Sequence, residues 1–324
     1  MIHISILPLK RAALSSIVDS RQAFQMANEF LVQSGRPAVF EVQLAGSGLE
    51  VKLQDGLFSI YPDVLINDLH HTDLVIVPSL SGDVFSATNL NREYIGWMAA
   101  QYKNGAEVAS LSVGAFLLAF SGLLNNRQCT THWMYANEFR ALYPGTQLAE
   151  EKMFTDQKGL YSSGGSYWNL LLHLVEKYTD RELAIRVSKY FVVDLDRNNQ
   201  SSFAVFSGIK DHADLLITDA QGYIEQNYRD KLTVDQLAAK FSTSRRTFER
   251  RFKSATSNTV VEYIQRIKIE AAKRQLETGR KTIGEVMYDV GYTDVKAFRD
   301  VFRRITGISP AAYKEKYNND SGDR

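Results

Sequence analysis

One cysteine, Cys129, stands among the 324 residues, and that scarcity excludes an intrachain disulfide and any cysteine-based zinc site. No stretch approaches the roughly 20 apolar residues needed to span a bilayer. The opening run Met1-Ile-His-Ile-Ser-Ile-Leu7, stopped by Pro8, is too short for the apolar region of a secretory signal. Low-complexity tracts are absent, and neither a second histidine nor a carboxylate lies at ligand spacing from His132. These absences lead us to expect a cytoplasmic protein with no metal, no cofactor and no membrane partner. The length instead suggests two domains, and the charge divides between them. Lys and Arg number 21 against 15 Asp and Glu in residues 215–324, but 17 against 22 in residues 1–214. A basic tail on an acidic body points to a polyanion that meets only the tail.

Residues 1–200 alternate strand-like and helix-like segments. Ile2–Leu7, Ala38–Leu44, Asp73–Pro78 and Glu107–Leu111 are apolar runs of strand length. Ser20–Gln33, Arg92–Lys103, Leu117–Leu124, Tyr167–Lys177 and Arg181–Tyr190 carry helical spacing. Apolar strands separated by helices predict a doubly wound α/β domain with a parallel sheet covered on both faces. Polar residues 197–202 open an expected linker over 201–214, and an all-α domain follows over 215–324.

That tail contains a duplication. Thr233 with Gln236, and Thr282 with Glu285, are capping boxes at the starts of two short helices. Ser242 is expected to cap the helix after the first, and Thr293 or Asp294 the helix after the second; Gly291 supplies a left-handed turn. Phe248 and Phe252 point inward from one second helix, Phe298 and Phe302 from the other. Arg245, Arg246, Glu249, Arg250 and Lys253 face outward on the first, and Lys296, Arg299, Asp300 and Arg303 on the second. Val260–Glu277 is a long amphipathic helix between them. A short helix, a tight turn and a basic second helix suit a DNA major groove. Asp300 is repelled by phosphate unless it meets a cytosine or pairs with Lys296 or Arg303.

These positions, with Val290-Gly291-Tyr292, Phe302-Arg303 and Thr306-Gly307-Ile308-Ser309-Pro310…Tyr313, resemble the DNA-binding domain of the AraC/XylS family over residues 215–317. The resemblance implies two helix-turn-helix units in successive major-groove segments of double-stranded promoter DNA. It makes Arg246, Glu249 and Arg250 the first unit's base or phosphate readers, and Lys296, Arg299 and Asp300 the second unit's.

In the first domain, Ser110-Leu-Ser-Val-Gly-Ala-Phe116 joins a strand to a helix, as a nucleophile elbow does. Ser112 would occupy its tip, and His132 is the next histidine downstream. Gly114-Ala-Phe-Leu-Leu-Ala119, Thr130-Thr-His-Trp133, Ser162-Ser-Gly-Gly-Ser166 and Leu195-Asp196-Arg197 resemble the PfpI/ThiJ-like domain of the class I glutamine-amidotransferase-like superfamily. Fused to an AraC-type tail, it resembles the GlxA-like regulators. Catalytic relatives carry a cysteine at the elbow and a carboxylate from the first helix; here Ser112 and Gln22 stand in those places, which implies a retired active site. No catalytic residue is therefore expected. Gln22, Ser79, Ser81, Ser112, Val113 and His132 would line a pocket for a small-molecule effector, with Trp97, Trp133 and Trp168 as candidate walls. A homodimer is expected, and RNA polymerase is left open as a further partner. The competing reading is an amidase or deglycase-like hydrolase using Ser112 and His132.

Overall fold

A computed structural model describes residues 1–195, 199–210 and 212–318. Two compact units divide the chain, one running from Met1 to Gln200 and the other beginning at Ser201. The first starts with β1 (Ile2–Ile6), α1 (Leu14–Gln33), β2 (Phe40–Gly46), a hairpin of β3 (Val51–Leu53) and β4 (Phe58–Ile60), and β5 (Val64–Leu65). Next come β6 (Leu74–Val77), α2 (Val84–Asn89), α3 (Glu93–Lys103), β7 (Glu107–Ser110) and α4 (Ala115–Phe120). It continues through β8 (Gln128–Cys129), α5 (Ala136–Leu142), β9 (Gln147–Leu148), β10 (Phe154–Asp156), β11 (Leu160–Ser163), α6 (Trp168–Tyr178) and α7 (Arg181–Tyr190).

Seven strands form one sheet in the order β10-β11-β7-β6-β1-β2-β5. Every neighbouring pair is parallel except β10 with β11 at the edge. Helices α1, α6 and α7 pack together, as do α2, α3 and α4. All four residues of β6 are fully buried, which is why Leu-Val-Ile-Val reads as an unbroken apolar run. The chain goes from β1 to β2 on one side and returns through β6 on the other. A crevice opens at such a reversal, beyond the C-terminal ends of the strands.

Three features differ from the sequence reading. Helix α1 begins at Leu14, six residues before the expected Ser20, because Ser16 and Ser20 belong to its buried stripe. Their hydroxyls donate to the Ala13 and Ser16 carbonyls at 2.7 and 2.6 Å, which makes their burial affordable. Helix α4 stops at Phe120, ahead of left-handed Gly122. Strand β11 sits inside the sheet although it reads Leu-Tyr-Ser-Ser; the Ser162 hydroxyl accepts the Thr130 N–H at 2.8 Å and pairs with Thr155 at 2.7 Å.

The second unit is helical: α8 (Leu215–Gln226), α9 (Val234–Lys240), α10 (Arg245–Thr256), α11 (Val260–Glu277), α12 (Ile283–Asp289), α13 (Val295–Thr306) and α14 (Pro310–Tyr317). It has two cores. Phe248 and Phe252 centre the first with Ile217, Ile224 and Tyr263; Phe298 and Phe302 centre the second with Ile269, Leu276 and Tyr313. Helix α11 feeds both, its first half into one and its second half into the other. Tyr263 meets Phe252 edge-on at 5.3 Å, and Tyr313 meets Phe302 at 5.5 Å. Both capping boxes form. The cap of α10 is Ser244, not Ser242, which sits in the turn at φ +51°; Asp294 caps α13.

One further correction concerns the connection between the units. Residues expected to form a polar linker pack on the helical unit: Phe206 lies 5.3 Å from the Tyr263 ring, the Ile209 carbonyl accepts from Gln221 at 2.9 Å, and Lys273 donates to the Ala204 carbonyl. Asp196 and Arg197 of the family resemblance, and Asn198 in the polar stretch expected to open the linker, lie outside the described residues. Among the described residues no helix is long and apolar enough to cross a membrane.

Gly291 closes the second turn at φ +77°, and a Cβ there would lie 2.1 Å from the Arg229 carbonyl oxygen. Its own carbonyl accepts from the buried Lys268 ammonium at 3.1 Å. Gly291→Ala is expected to cost about 2–5 kcal/mol, from left-handed strain plus overpacking against main chain. Urea unfolding of the full chain measures it, and a loss under about 0.5 kcal/mol, the scale of an ordinary surface change, would contradict this account.

Candidate nucleic-acid interface and ligand pocket

The outward face of α10 is set by its inward one. Phe248, Phe252 and Thr256 are buried four residues apart, so the turns between them must project to solvent. Arg245, Arg246, Glu249, Arg250 and Lys253 are all exposed. They are not equivalent. Arg245 is engaged by Asp235 at 3.0 Å and by Glu249 at 3.4 Å, which also occupies Glu249. Arg246, Arg250 and Lys253 have no ion-pair partner among the described residues. Arg251, one position away, is a structural group. It grips Asp214 with two bonds of 2.8 and 2.6 Å and holds that carboxyl below the usual carboxylate range, tying the start of α8 to α10.

Helix α13 repeats the arrangement with Phe298, Phe302 and Thr306 inward and Lys296, Arg299, Asp300 and Arg303 exposed. Asp300 forms no ion pair with Lys296 or Arg303, so the partner its sequence neighbours offered is not taken up. Arg304 turns aside to Gln265 at 2.5 Å. Both helices thus present several uncommitted cations beside one carboxylate. A guanidinium can take guanine in two bonds or a phosphate, and a carboxylate can accept from cytosine. The spacing of the two faces is kept by α11 and by Lys268, whose ammonium is buried, held below its ordinary pKa by desolvation, and bonded to the second turn.

At the other end of the chain, Ser112 follows β7 at φ +52°, a left-handed conformation rare outside glycine and asparagine. The elbow packs so tightly on β6 that a Cβ at Gly114 would lie 2.5 Å from the Pro78 carbonyl oxygen. The Ser112 N–H donates to the Ser163 hydroxyl at 2.8 Å, and its carbonyl accepts from the Thr131 hydroxyl at 3.1 Å. Ser112 and Val113 are buried; His132 is half-buried. The Ser112 hydroxyl itself has no hydrogen-bond partner among the described residues. His132 Nδ1 accepts the Met134 N–H at 3.1 Å, and burial lowers the imidazole pKa. The neutral ring therefore carries its proton on Nε2, its one lone pair being taken by the Met134 N–H. Cys129 is no substitute nucleophile, since burial pushes its thiol up to about 11.

The remaining expected pocket residues scatter. Ser79 is buried at the end of β6, where its N–H donates to the Ser16 hydroxyl at 3.1 Å. Ser81 is exposed and bonded to the Arg11 carbonyl through both N–H and hydroxyl at 2.9 Å. Gln22 is exposed on α1, outside the stripe of Ser16, Ser20, Ala23 and Ala27. It therefore does not take the carboxylate's place; Ser16 is the residue of α1 that reaches the sheet's edge. Of the three tryptophans, Trp133 borders the elbow region beside His132 and Gly165. Trp97 donates to the Leu69 carbonyl at 3.4 Å and Trp168 stacks on Phe191 at 4.4 Å. The sequence motif contained Ser163 but gave it no role, and it offered no sign of Gln200, which is seated against Gly164 and Gly165.

Two family models match separate parts of the chain. A DJ-1/PfpI family model matches residues 22–177 and a helix-turn-helix domain model matches residues 237–316. The HTH-type transcriptional regulator GbdR of Pseudomonas aeruginosa is 26% identical over 309 residues, covering 95% of this chain and 82% of that protein. The HTH-type transcriptional regulator GlxA of Rhizobium meliloti is 23% identical over 321 residues, covering 97% and 96%. Among solved structures, a ThiJ/PfpI family protein from Pseudomonas syringae superposes with a TM-score of 0.50 at 15% identity, covering 76% of this chain and 90% of that one; it speaks to the fold alone.

Proposed function

We propose that the chain joins a DJ-1/PfpI-type domain to a helix-turn-helix domain of the AraC type, and that it is a sequence-specific DNA-binding transcription regulator governed by its first domain. The observation that carries the reading is the pair of outward basic faces on α10 and α13, repeated about an internal duplication and held by one shared helix. Selection from a random duplex library by the full chain tests it. Two enriched segments in successive major grooves are expected, with affinity falling steeply as salt rises. Binding no tighter to the selected duplex than to a scrambled one at the same salt would refute the reading.

The first domain is proposed to bind a small-molecule effector over Ser112, Val113, His132 and Trp133, and to act as the dimerisation unit; Ser79 lies at the neighbouring strand end. An effector that prefers one dimer geometry would shift operator affinity by its difference in affinity for the two states. A cytoplasmic setting accords with promoter DNA as the partner, and RNA polymerase is a further contact of this reading.

Catalysis at the elbow is not part of the proposal. A serine needs an acceptor for its proton, and the His132 lone pair is already committed to the Met134 N–H. In an esterase and amidase screen, wild type and Ser112→Ala are expected to be indistinguishable from buffer. Turnover by wild type that Ser112→Ala abolishes would restore the hydrolase reading.

A further inference from the structure

Gln200 is the last residue of the first unit, and it is 1% exposed. Its side-chain oxygen accepts the Gly165 N–H at 2.7 Å. Its amide nitrogen donates to the Glu150 carbonyl at 2.8 Å and the Thr131 carbonyl at 3.0 Å, with the Thr130 hydroxyl 3.3 Å away. A Cβ on Gly164 would come within 2.5 Å of that amide, so the seat is moulded to it. A glutamine at the start of a solvated tether would have no cause to be held this way, because fixing its rotamers costs entropy.

Both walls of the seat also hold the elbow. Thr131, whose carbonyl takes the Gln200 amide, donates its hydroxyl to the Ser112 carbonyl. Ser163, which accepts the Ser112 N–H, leads directly into Gly164 and Gly165. On the other side of the boundary the chain is anchored at once to the helical unit. The Ser202 carbonyl accepts from the Tyr317 hydroxyl at 3.4 Å, and the Ala204 carbonyl accepts from Lys273. A single residue, Ser201, separates the two sets of anchors in sequence.

We propose that Gln200 is a positioning residue that couples the elbow pocket to the DNA-binding unit. A group bound over Ser112 that shifts either the 130–133 loop or the 163–165 turn changes the Gln200 seat, and the change passes along Ser201 to the anchored segment from Ser202. The proposal rests on the first domain being the sensor, and its test separates the two ideas.

The test is a double-mutant cycle in the full chain with Thr131→Val, which removes only the hydroxyl bonded to Ser112, and Gln200→Met, which keeps side-chain length and removes the amide. The readouts are Kd for the selected duplex and amide exchange over residues 202–209. Each single variant is expected to shift Kd about fivefold or more in the same direction and to speed exchange there, with the double variant no further shifted than the larger single one. Thermal unfolding identifies a variant whose first unit has simply lost its fold; Gln200→Glu, which keeps the Gly165 bond and loses both carbonyl partners, then takes the place of Gln200→Met. Wild-type Kd and exchange in either variant, or shifts that add as independent changes, would overturn the coupling. Where the variants shift exchange but no duplex is enriched, the DNA-binding reading fails and the coupling stands. Where they shift Kd but no metabolite in a panel moves the wild-type Kd, the sensing reading fails instead.

Discussion

Replacing Arg246 and Arg250 together with alanine is expected to weaken binding to the selected duplex by about 30-fold to 10⁴-fold, from two contacts worth roughly 1–3 kcal/mol each. The fold should not notice. Both side chains are exposed and lack ion-pair partners among the described residues, so unfolding free energy should stay within about 0.5 kcal/mol of wild type. The manner of the loss distinguishes their roles. Two guanine readers would relax base preference at two positions of the selected site. Two phosphate contacts would leave preference intact and reduce the slope of log K against log salt by about 1.8. Unchanged affinity would mean that α10 does not face DNA. Arg245 would be a poor choice for the same experiment, since its pairing with Asp235 and Glu249 mixes a local electrostatic effect into the result.

Phe302→Ala is expected to remove about 3–5 kcal/mol, as large-to-small changes at buried aromatics do. Phe302 is fully buried between Phe298, 5.8 Å away, and Tyr313. The damage should be local, because the second core is separate from the first and shares only α11 with it. Hydrogen exchange should accelerate across α12, α13 and α14 while α9 and the first half of α10 remain protected. On DNA, one of the two selected segments should lose its sequence preference and the other keep it. Uniform acceleration through both cores would show that the helical unit unfolds as a single cooperative body, contrary to this division.

The two experiments bear on different levels of the same design. Arg246 and Arg250 were legible in the sequence because their roles follow from helical spacing against Phe248 and Phe252. Which arginine is free was not legible. Arg251 looks as basic on paper as Arg250, but Asp214, 37 residues earlier, claims it. Asp300 offers the reverse lesson: the i, i+4 partner at Lys296 is present, yet no ion pair forms between them, and spacing alone could not say so. At the elbow, the place of Ser112 at the tip was expected from the strand–helix junction, whereas its left-handed φ was not. The displacement of Gln22 was not, since it depends on where α1 starts, and two buried serines disguised that start.

What the sequence determined by itself is the duplicated helical unit. Its capping boxes, paired phenylalanines and outward cations are related within three or four residues, the range over which a helix's own geometry decides which side chains share a face. The sheet's apolar strands were legible for a similar reason, since burial on both faces leaves an unbroken apolar run. Tertiary structure alone decided which polar residues are structural. Ser162 and Ser163 look like loop residues until Thr130 and Ser112 are brought to them, and Gln200 looks like linker until residues 35 to 70 positions earlier close around its amide. A buried polar group is stable only when its partners arrive, and those partners come from distant parts of the chain. The cores therefore announce themselves locally, whereas the elbow, its tethers and the seat of Gln200 exist only after the strands have assembled.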